Sequence, residues 1–196
     1  GTGISIVGAT APSYVVVSNI DRCSFFCHNF GVEAFAYTQG LNINQSNFVS
    51  CNAGVANPPN ATGLVQFTIM GNQFGDIKNS AILLNTAVPG TILSSNVFLM
   101  DNGTTAINCI YAAQFSILGN TFLTGSSLGA TGVYIGTVSN SVGGGVITGN
   151  HFNGQGIAIN LDGGTSNVNV QSNQYHACSV NVRNIGSENM IGGGSA

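Results

Sequence analysis

The sequence predicts an all-β chain wound into a solenoid of stacked parallel strands. Three observations lead there. Charge is nearly absent, with three Lys/Arg and six Asp/Glu in 196 residues, or 5%, against about 25% in ordinary globular domains. Small polar residues take its place: 28 Gly, 25 Asn, 19 Ser and 15 Thr make up 87 of the 196 residues. These are poor helix interiors, while Val, Ile, Phe and Tyr supply apolar content that suits strands. Finally, an aromatic residue recurs at nearly constant spacing, the signature of a repeat architecture.

The same composition excludes several classes. A hydrophobic content of 43% and a net charge of −3 are the opposite of a disordered chain. Arg22, Lys78 and Arg183 cannot neutralise a run of phosphates, so no nucleic-acid partner is expected. No stretch approaches 18 consecutive apolar residues, so no membrane-spanning helix is expected. The chain starts at Gly1 with no charged and then apolar leader, which reads as a cut piece or a processed product. Cys23, Cys27, Cys51, Cys109 and Cys178 are odd in number and lack CxxC spacing, so neither a disulfide framework nor a zinc site is expected. No metal or cofactor is expected.

The elements follow in chain order. GISI at 3–6 is the first alternating segment. IDRCSF at 20–25 then opens a series continued by INQSNF (43–48), IMGNQF (69–74), LSSNVF (93–98), ILGNTF (117–122), ITGNHF (147–152) and VQSNQY (170–175). Its aromatic column is Phe25, Phe48, Phe74, Phe98, Phe122, Phe152 and Tyr175, spaced by 23, 26, 24, 24, 30 and 23 residues. A second column runs Cys23, Ser46, Asn72, Asn96, Asn120, Asn150 and Asn173. Each repeat passes through a polar turn into another alternating segment, AILL at 81–84, AINC at 106–109, GVYI at 132–135, GIAI at 156–159 and SVNV at 179–182. Period-two alternation places Ile82/Leu84, Val133/Ile135, Ile157/Ile159 and Val180/Val182 on one face. Short strands of this kind cannot bury an apolar face alone. Stacked at about 4.8 Å they form one core, and the Asn column becomes a hydrogen-bonded ladder at a corner. The stretches 52–63 and 136–145 read as insertions that bulge from the coil.

This pattern resembles the right-handed parallel β-helix over nearly the whole chain. SILGNTF with TGVYIG, and VITGNHF with GIAINL, are similar to repeats of phage tailspikes and pectate-lyase-like proteins. The resemblance implies a single-stranded right-handed β-helix of about eight coils over residues 1–191, a rod ~40 Å long, with a flexible tail at 192–196. Solenoid ends need caps, and no amphipathic cap helix precedes Gly3–Ile6. The chain therefore reads as a section of a longer β-helix or as one end capped by partners.

Enzymes of this fold act on polysaccharides through acidic groups on neighbouring coils, and a pair of carboxylates is the glycosidase requirement. Asp76 lies two residues after its column Phe and Asp101 three after the next. Both therefore fall on one corner with Lys78, as candidate acid and base or nucleophile, although Asp also favours turns for its own sake. Asp162 in LDGG reads as a turn residue and Glu188 as solvated. Asp21, Glu33 and Arg22 share the first coil. Arg22 suits a surface ion pair or a clamp on an anionic sugar. His28, His151 and His176 share no column, yet adjacent coils can bring His151 towards His176. Cys23 and Cys109 take inward positions as small hydrophobes, and Cys27 and Cys51 fall near one another. Tyr37, Tyr111, Tyr134 and Tyr175 are candidates for stacking on sugar faces, Tyr175 being better placed in the core. The motif sets of polygalacturonases (Asn-x-Asp, Asp-Asp, Gly-His-Gly, Arg-x-Lys) are absent, and the acids are too few for a pectate lyase calcium site.

The expected function is a section of a phage tailspike or tail fibre, forming a homotrimer on the virion tail. Its partner would be a bacterial surface polysaccharide, lipopolysaccharide O-antigen or capsule, bound through Tyr134, Tyr111, Arg22 and Lys78. One alternative is a depolymerase, a glycoside hydrolase or lyase that uses Asp76 and Asp101 to cleave that glycan. Another is a structural solenoid of a bacterial surface protein.

Overall fold

A computed structural model describes residues 1–7, 15–26, 28–125, 129–138 and 144–192. The described residues form strands and turns, without helices, in three parallel sheets. Each sheet takes every third strand of the chain, so each coil contributes one strand to each sheet. Sheet A holds Thr2–Ile6, Phe30–Ala34, Ala53–Asn57, Ser80–Leu84, Thr105–Ala112, Thr131–Val138, Ile157–Gly164 and Val180–Asn184. Sheet B holds the eight strands from Val15–Asp21 to Met190–Ile191, and sheet C the seven short strands that carry the aromatic column, Ser24–Phe26 to Gln174–His176. The result is a β-solenoid of about seven turns. The eight-strand sheets count seven intervals, because their first and last strands do not each complete a coil.

The aromatic column is the spine of the core. Phe25, Phe48, Phe74, Phe98, Phe122, Phe152 and Tyr175 are register partners along sheet C. Their rings stack with interplanar angles of 6–11° and centroids 4.5–5.6 Å apart. Strand spacing sets that distance, and every ring from Phe48 to Phe152 is fully buried. Facing them, sheet A presents Gly3, Gly31, Gly54, Ala81, Ala106, Gly132 and Ala158, which the register places in one ladder. A Cβ at Gly31 would stand 2.5 Å from the Phe48 ring, and one at Gly132 would stand 2.7 Å from Phe152. The small column exists because the ring column needs its space.

The corner between sheets B and C is a tight bend. Arg22, Gln45, Gly71, Ser95, Gly119, Gly149 and Ser172 all adopt φ between 47° and 67° there, which favours Gly and short polar residues. The next residue then points inward, and this is the Cys–Ser–Asn column. Asn96 shows the unit. Its backbone N–H and its Nδ2 donate to Asn120 Oδ1, both at 3.0 Å, and Nδ2 also donates to the Ile69 carbonyl at 2.9 Å. Asn72, Asn120 and Asn150 repeat the arrangement. The backbone groups freed by the bend are thus satisfied without water.

Several details depart from the sequence reading. On sheet A the inward pair in the later coils is Ile159/Leu161, which aligns with Val133/Ile135 and Ile82/Leu84, and its register partners at the end of the solenoid are half-buried Val182 and exposed Asn184. Ile157 aligns with Thr131 at the sheet rim, and Val180 is exposed beside it. Alternation fixes parity but not where along the strand the core begins. Of the stretch 52–63, Ala53–Asn57 is a buried strand of sheet A, and only 58–63 loops out. Likewise Gly136–Val138 extends a sheet A strand and Gly145 starts one of sheet B. Residues 139–143 and 193–196 lie outside the described residues. Cys109 is buried, whereas Cys23 is half-buried at the open head of the Asn column, with its thiol donating to the Asp21 carbonyl at 3.4 Å. Cys51 is buried, and Cys27, with its expected approach to Cys51, is outside the described residues. Among the described residues no helix is long and apolar enough to cross a membrane.

Candidate functional site

The corner from sheet C to sheet A carries the predicted acid pair. Asp76 follows the strand Gln73–Gly75 in a left-handed conformation, φ 51°. Its carboxylate accepts hydrogen bonds from Ser50 Oγ on the preceding coil and from Lys78 Nζ. The Lys78 ammonium, and then the Ser50 hydroxyl, hold Asp76 below the usual carboxylate range. Gly75 pairs with Leu99, which places Asp101 one residue further along the next coil. The backbone carbonyl of Asp101 accepts from Thr104 Oγ1 at 2.6 Å, so it opens a turn as well. Both carboxylates line one shallow groove of about 360 Å³ with Leu99, Met100, Leu123, Thr124 and Gly125. The structure therefore brings Asp76, Asp101 and Lys78 together. A glycosidase acid must hold a proton that its neighbours make costly to lose. Asp76 has the opposite setting, a clamped carboxylate suited to accepting hydrogen bonds.

A second groove continues from the first. Residues directly after the aromatic column point outward from sheet C: Phe26, Val49, Gly75, Leu99 and Leu123 form one ladder. Phe26 is 58% exposed and Leu99 51%. The parallel outward ladder is Ser24, Asn47, Gln73, Val97 and Thr121. None of these ten carries a formal charge. Between Phe26 and Leu99 the face is indented over Gly75, in a groove of about 360 Å³ lined by Phe26, Asn47, Val49, Gln73, Phe74, Gly75, Val97 and Leu99. Leu99 lines both grooves, which makes them one track along the solenoid. Sequence reasoning missed this stripe, although its signal is plain: it is the position after each column aromatic.

The other predicted residues stand elsewhere. Tyr134 lies on the outer face of sheet A, between Asn108 and Asn160. Its hydroxyl donates to Asp162 Oδ2 at 2.7 Å, and Gly163 N–H donates to Asp162 Oδ1 at 2.8 Å. That Tyr134 hydrogen bond, with Gly163 and the Arg183 charge behind it, lowers the Asp162 pKa, and the same bond raises that of Tyr134. Asp162 does close a turn, with its carbonyl accepting from Thr165 N–H, so the turn reading was right for the backbone and incomplete for the side chain. Tyr111 is 52% exposed and pairs with Thr137, three residues past Tyr134. Alternation breaks there, because Ile110 and Tyr111 are both exposed and the register shifts between Ile135 and Thr137. Tyr175 is buried in the ring stack. Arg22, exposed on the B–C corner, donates to Gln45 Oε1 at 3.2 Å and pairs with Asp21 at 3.5 Å. Glu33 accepts from Thr2 Oγ1 at 3.3 Å. His151 is level with Gln174 and His176 with Asn153, so the two imidazoles occupy different ladders. Among the described residues no group of three or more His, Cys, Asp or Glu could hold a metal ion.

No protein-family model matches this chain, no curated protein matches its sequence, and no solved structure matches it.

Proposed function

We propose that this solenoid is a section of a phage tailspike or tail fibre, homotrimeric, which binds a bacterial surface polysaccharide along the outer face of sheet C. Fold alone carries no function, and the observation that carries this reading is the continuous track from Phe26 to Asp101. Sugars offer apolar C–H faces and hydroxyl donors. The track offers Phe26, Val49 and Leu99 to the first and the carboxylates of Asp76 and Asp101 to the second. Its size argues for a chain-like ligand over a protein. Five strands at the usual spacing give a strip roughly 20 Å long and about 10 Å wide, on the order of 200 Å², whereas a stable protein interface needs about 800 Å² per partner. A short oligosaccharide fills such a strip.

The depolymerase reading rests on Asp76 and Asp101 sharing a groove. The clamped state of Asp76 favours binding over cleavage at that pair. The test is a panel of bacterial O-antigen and capsule oligosaccharides applied to the intact chain and to Phe26→Ala and Leu99→Ala. Binding lost in both variants supports the reading, and no binding by the intact chain removes it. Cleavage that disappears in Asp76→Asn or Asp101→Asn would restore the enzyme.

A further inference from the structure

Several glycines of the sheets and corners have visible reasons to be glycine. Gly3, Gly31, Gly54 and Gly132 make room for phenylalanine rings, and Gly71, Gly119 and Gly149 occupy the left-handed corner. Gly75 has neither reason. It ends a strand without a positive φ, and a Cβ there would meet only Leu99 Cδ1, at an ordinary 3.9 Å. It sits in an outward ladder whose neighbours are Val49 and Leu99, where a side chain would both fit and strengthen the strand. What the glycine does is leave an indentation in an otherwise filled stripe.

The walls of that indentation define what enters it. Phe26, Val49, Val97 and Leu99 are apolar, and the amides of Asn47 and Gln73 stand on the adjacent ladder over the same groove. Among the described residues neither amide makes a side-chain hydrogen bond within the protein, and both residues are exposed. A pocket with an apolar floor and two free primary amides at its rim is complementary to a small group with one methyl and one amide. The methyl enters the indentation over Gly75. The ligand's C=O accepts from Asn47 or Gln73 Nδ2/Nε2, and its N–H donates to their oxygens. The geometry points to an acetamido group: the track is built for a glycan containing N-acetylated sugars, with the acetyl methyl seated over Gly75. This rests on the glycan-binding reading above and specifies its ligand class. It also explains the order of features along the track, because the Asp76 carboxylate follows Gly75 on the same coil and that of Asp101 lies one coil on, where they accept ring hydroxyls of the next residue.

The test uses the intact chain with labelled Val and Leu methyls, titrated with N-acetylglucosamine, N-acetylgalactosamine, glucose and galactose. The expected result is that both acetamido sugars shift the Val49, Val97 and Leu99 methyls. The plain hexoses would bind those positions at least tenfold more weakly. Gly75→Leu fills the indentation and is expected to weaken acetamido-sugar binding at least tenfold while leaving weak hexose shifts unchanged. The double variant Asn47→Ala with Gln73→Ala, at exposed positions that the fold does not use, is expected to weaken it at least threefold. Equal binding of acetamido sugars and hexoses, or acetamido binding unaffected by Gly75→Leu, overturns the inference and leaves the glycan reading standing. If no saccharide shifts any outward methyl of sheet C, both fall together.

Discussion

Asn120 is a residue whose worth can be counted. Its Oδ1 accepts from the Asn96 N–H and Nδ2, and its Nδ2 donates to the Leu93 carbonyl and Asn150 Oδ1. All of these are buried, and a buried polar group left unpaired costs about 1–3 kcal/mol. Asn120→Leu strands several at once. We expect a loss of about 3 kcal/mol or more, read as a melting temperature lower by about 6–12 °C for a chain of this length. An unchanged melting temperature would mean that the Asn column does not hold the corner. Asp76 makes a weaker, pH-dependent contribution. Its folded pKa is depressed below 3.8 by Lys78 and Ser50, so its contribution is full above that value and fades as pH falls through the folded pKa. Thermal melts of the wild type and Asp76→Asn should therefore differ slightly at pH 7 and converge near pH 2. Both partners are exposed and salt screens them, so high salt should shrink the pH 7 difference too. A difference that grows on acidification would contradict the clamp.

Elements are tied together by the ring column and the small column that faces it. At Gly54 a Cβ would stand 2.6 Å from the Phe74 ring and 2.8 Å from the Ala81 carbonyl, so sheets A and C would have to move apart. Gly54→Ala should cost about 1–3 kcal/mol through overpacking, while Gly75→Ala, in open space, should cost almost nothing. Equal melting temperatures for the two would show that the sheets give more easily than this packing implies. The contrast also explains what was legible beforehand. Phe48, Phe74, Phe98 and Phe122 are one residue type at nearly constant spacing, and so are Asn72, Asn96 and Asn120, so both columns stand out in the sequence. Gly31, Gly54, Ala81 and Ala106 mix two small residues that recur throughout the chain, and the loop at 58–63 interrupts their spacing, so their column became visible only with the register. The same logic governs the site. Asp76 and Asp101 were readable because each is counted from a column Phe a few residues away. The partnership of Tyr134 with Asp162, 28 residues apart, depends on where two long strands of sheet A are in register, with an irregularity between Ile135 and Thr137. Alternation alone does not contain that information.

At the scale of the whole molecule, each strand pairs with one a full coil away in sequence, so almost no contact is local. Contacts of that kind must close a loop before they are rewarded, which makes folding slow. Unfolding should be slow as well. Each inner coil is held by neighbours on both sides through three sheets, and peeling must begin at an end. The end is weaker than the middle. At the last coil Val180, Ile185, Met190 and Ile191 are exposed, whereas the middle coils bury Phe74, Phe98 and Phe122 completely. Hydrogen exchange should therefore show protection rising from both ends towards Phe98, with the Asn96 and Asn120 amides among the last to exchange. Uniform protection along the chain would instead mean that the solenoid opens as one unit. Association would change this profile in a way that separates the functional readings. Light scattering should give a mass near three chains, resistant to unheated SDS, if the homotrimer forms, and association should then add no protection to the strands of sheet C, because that sheet is reserved for glycan. A trimer that protects sheet C would assign that face to subunit packing and move the sugar track elsewhere. A mass near one chain would leave the track on a monomer and remove the homotrimer from the proposal.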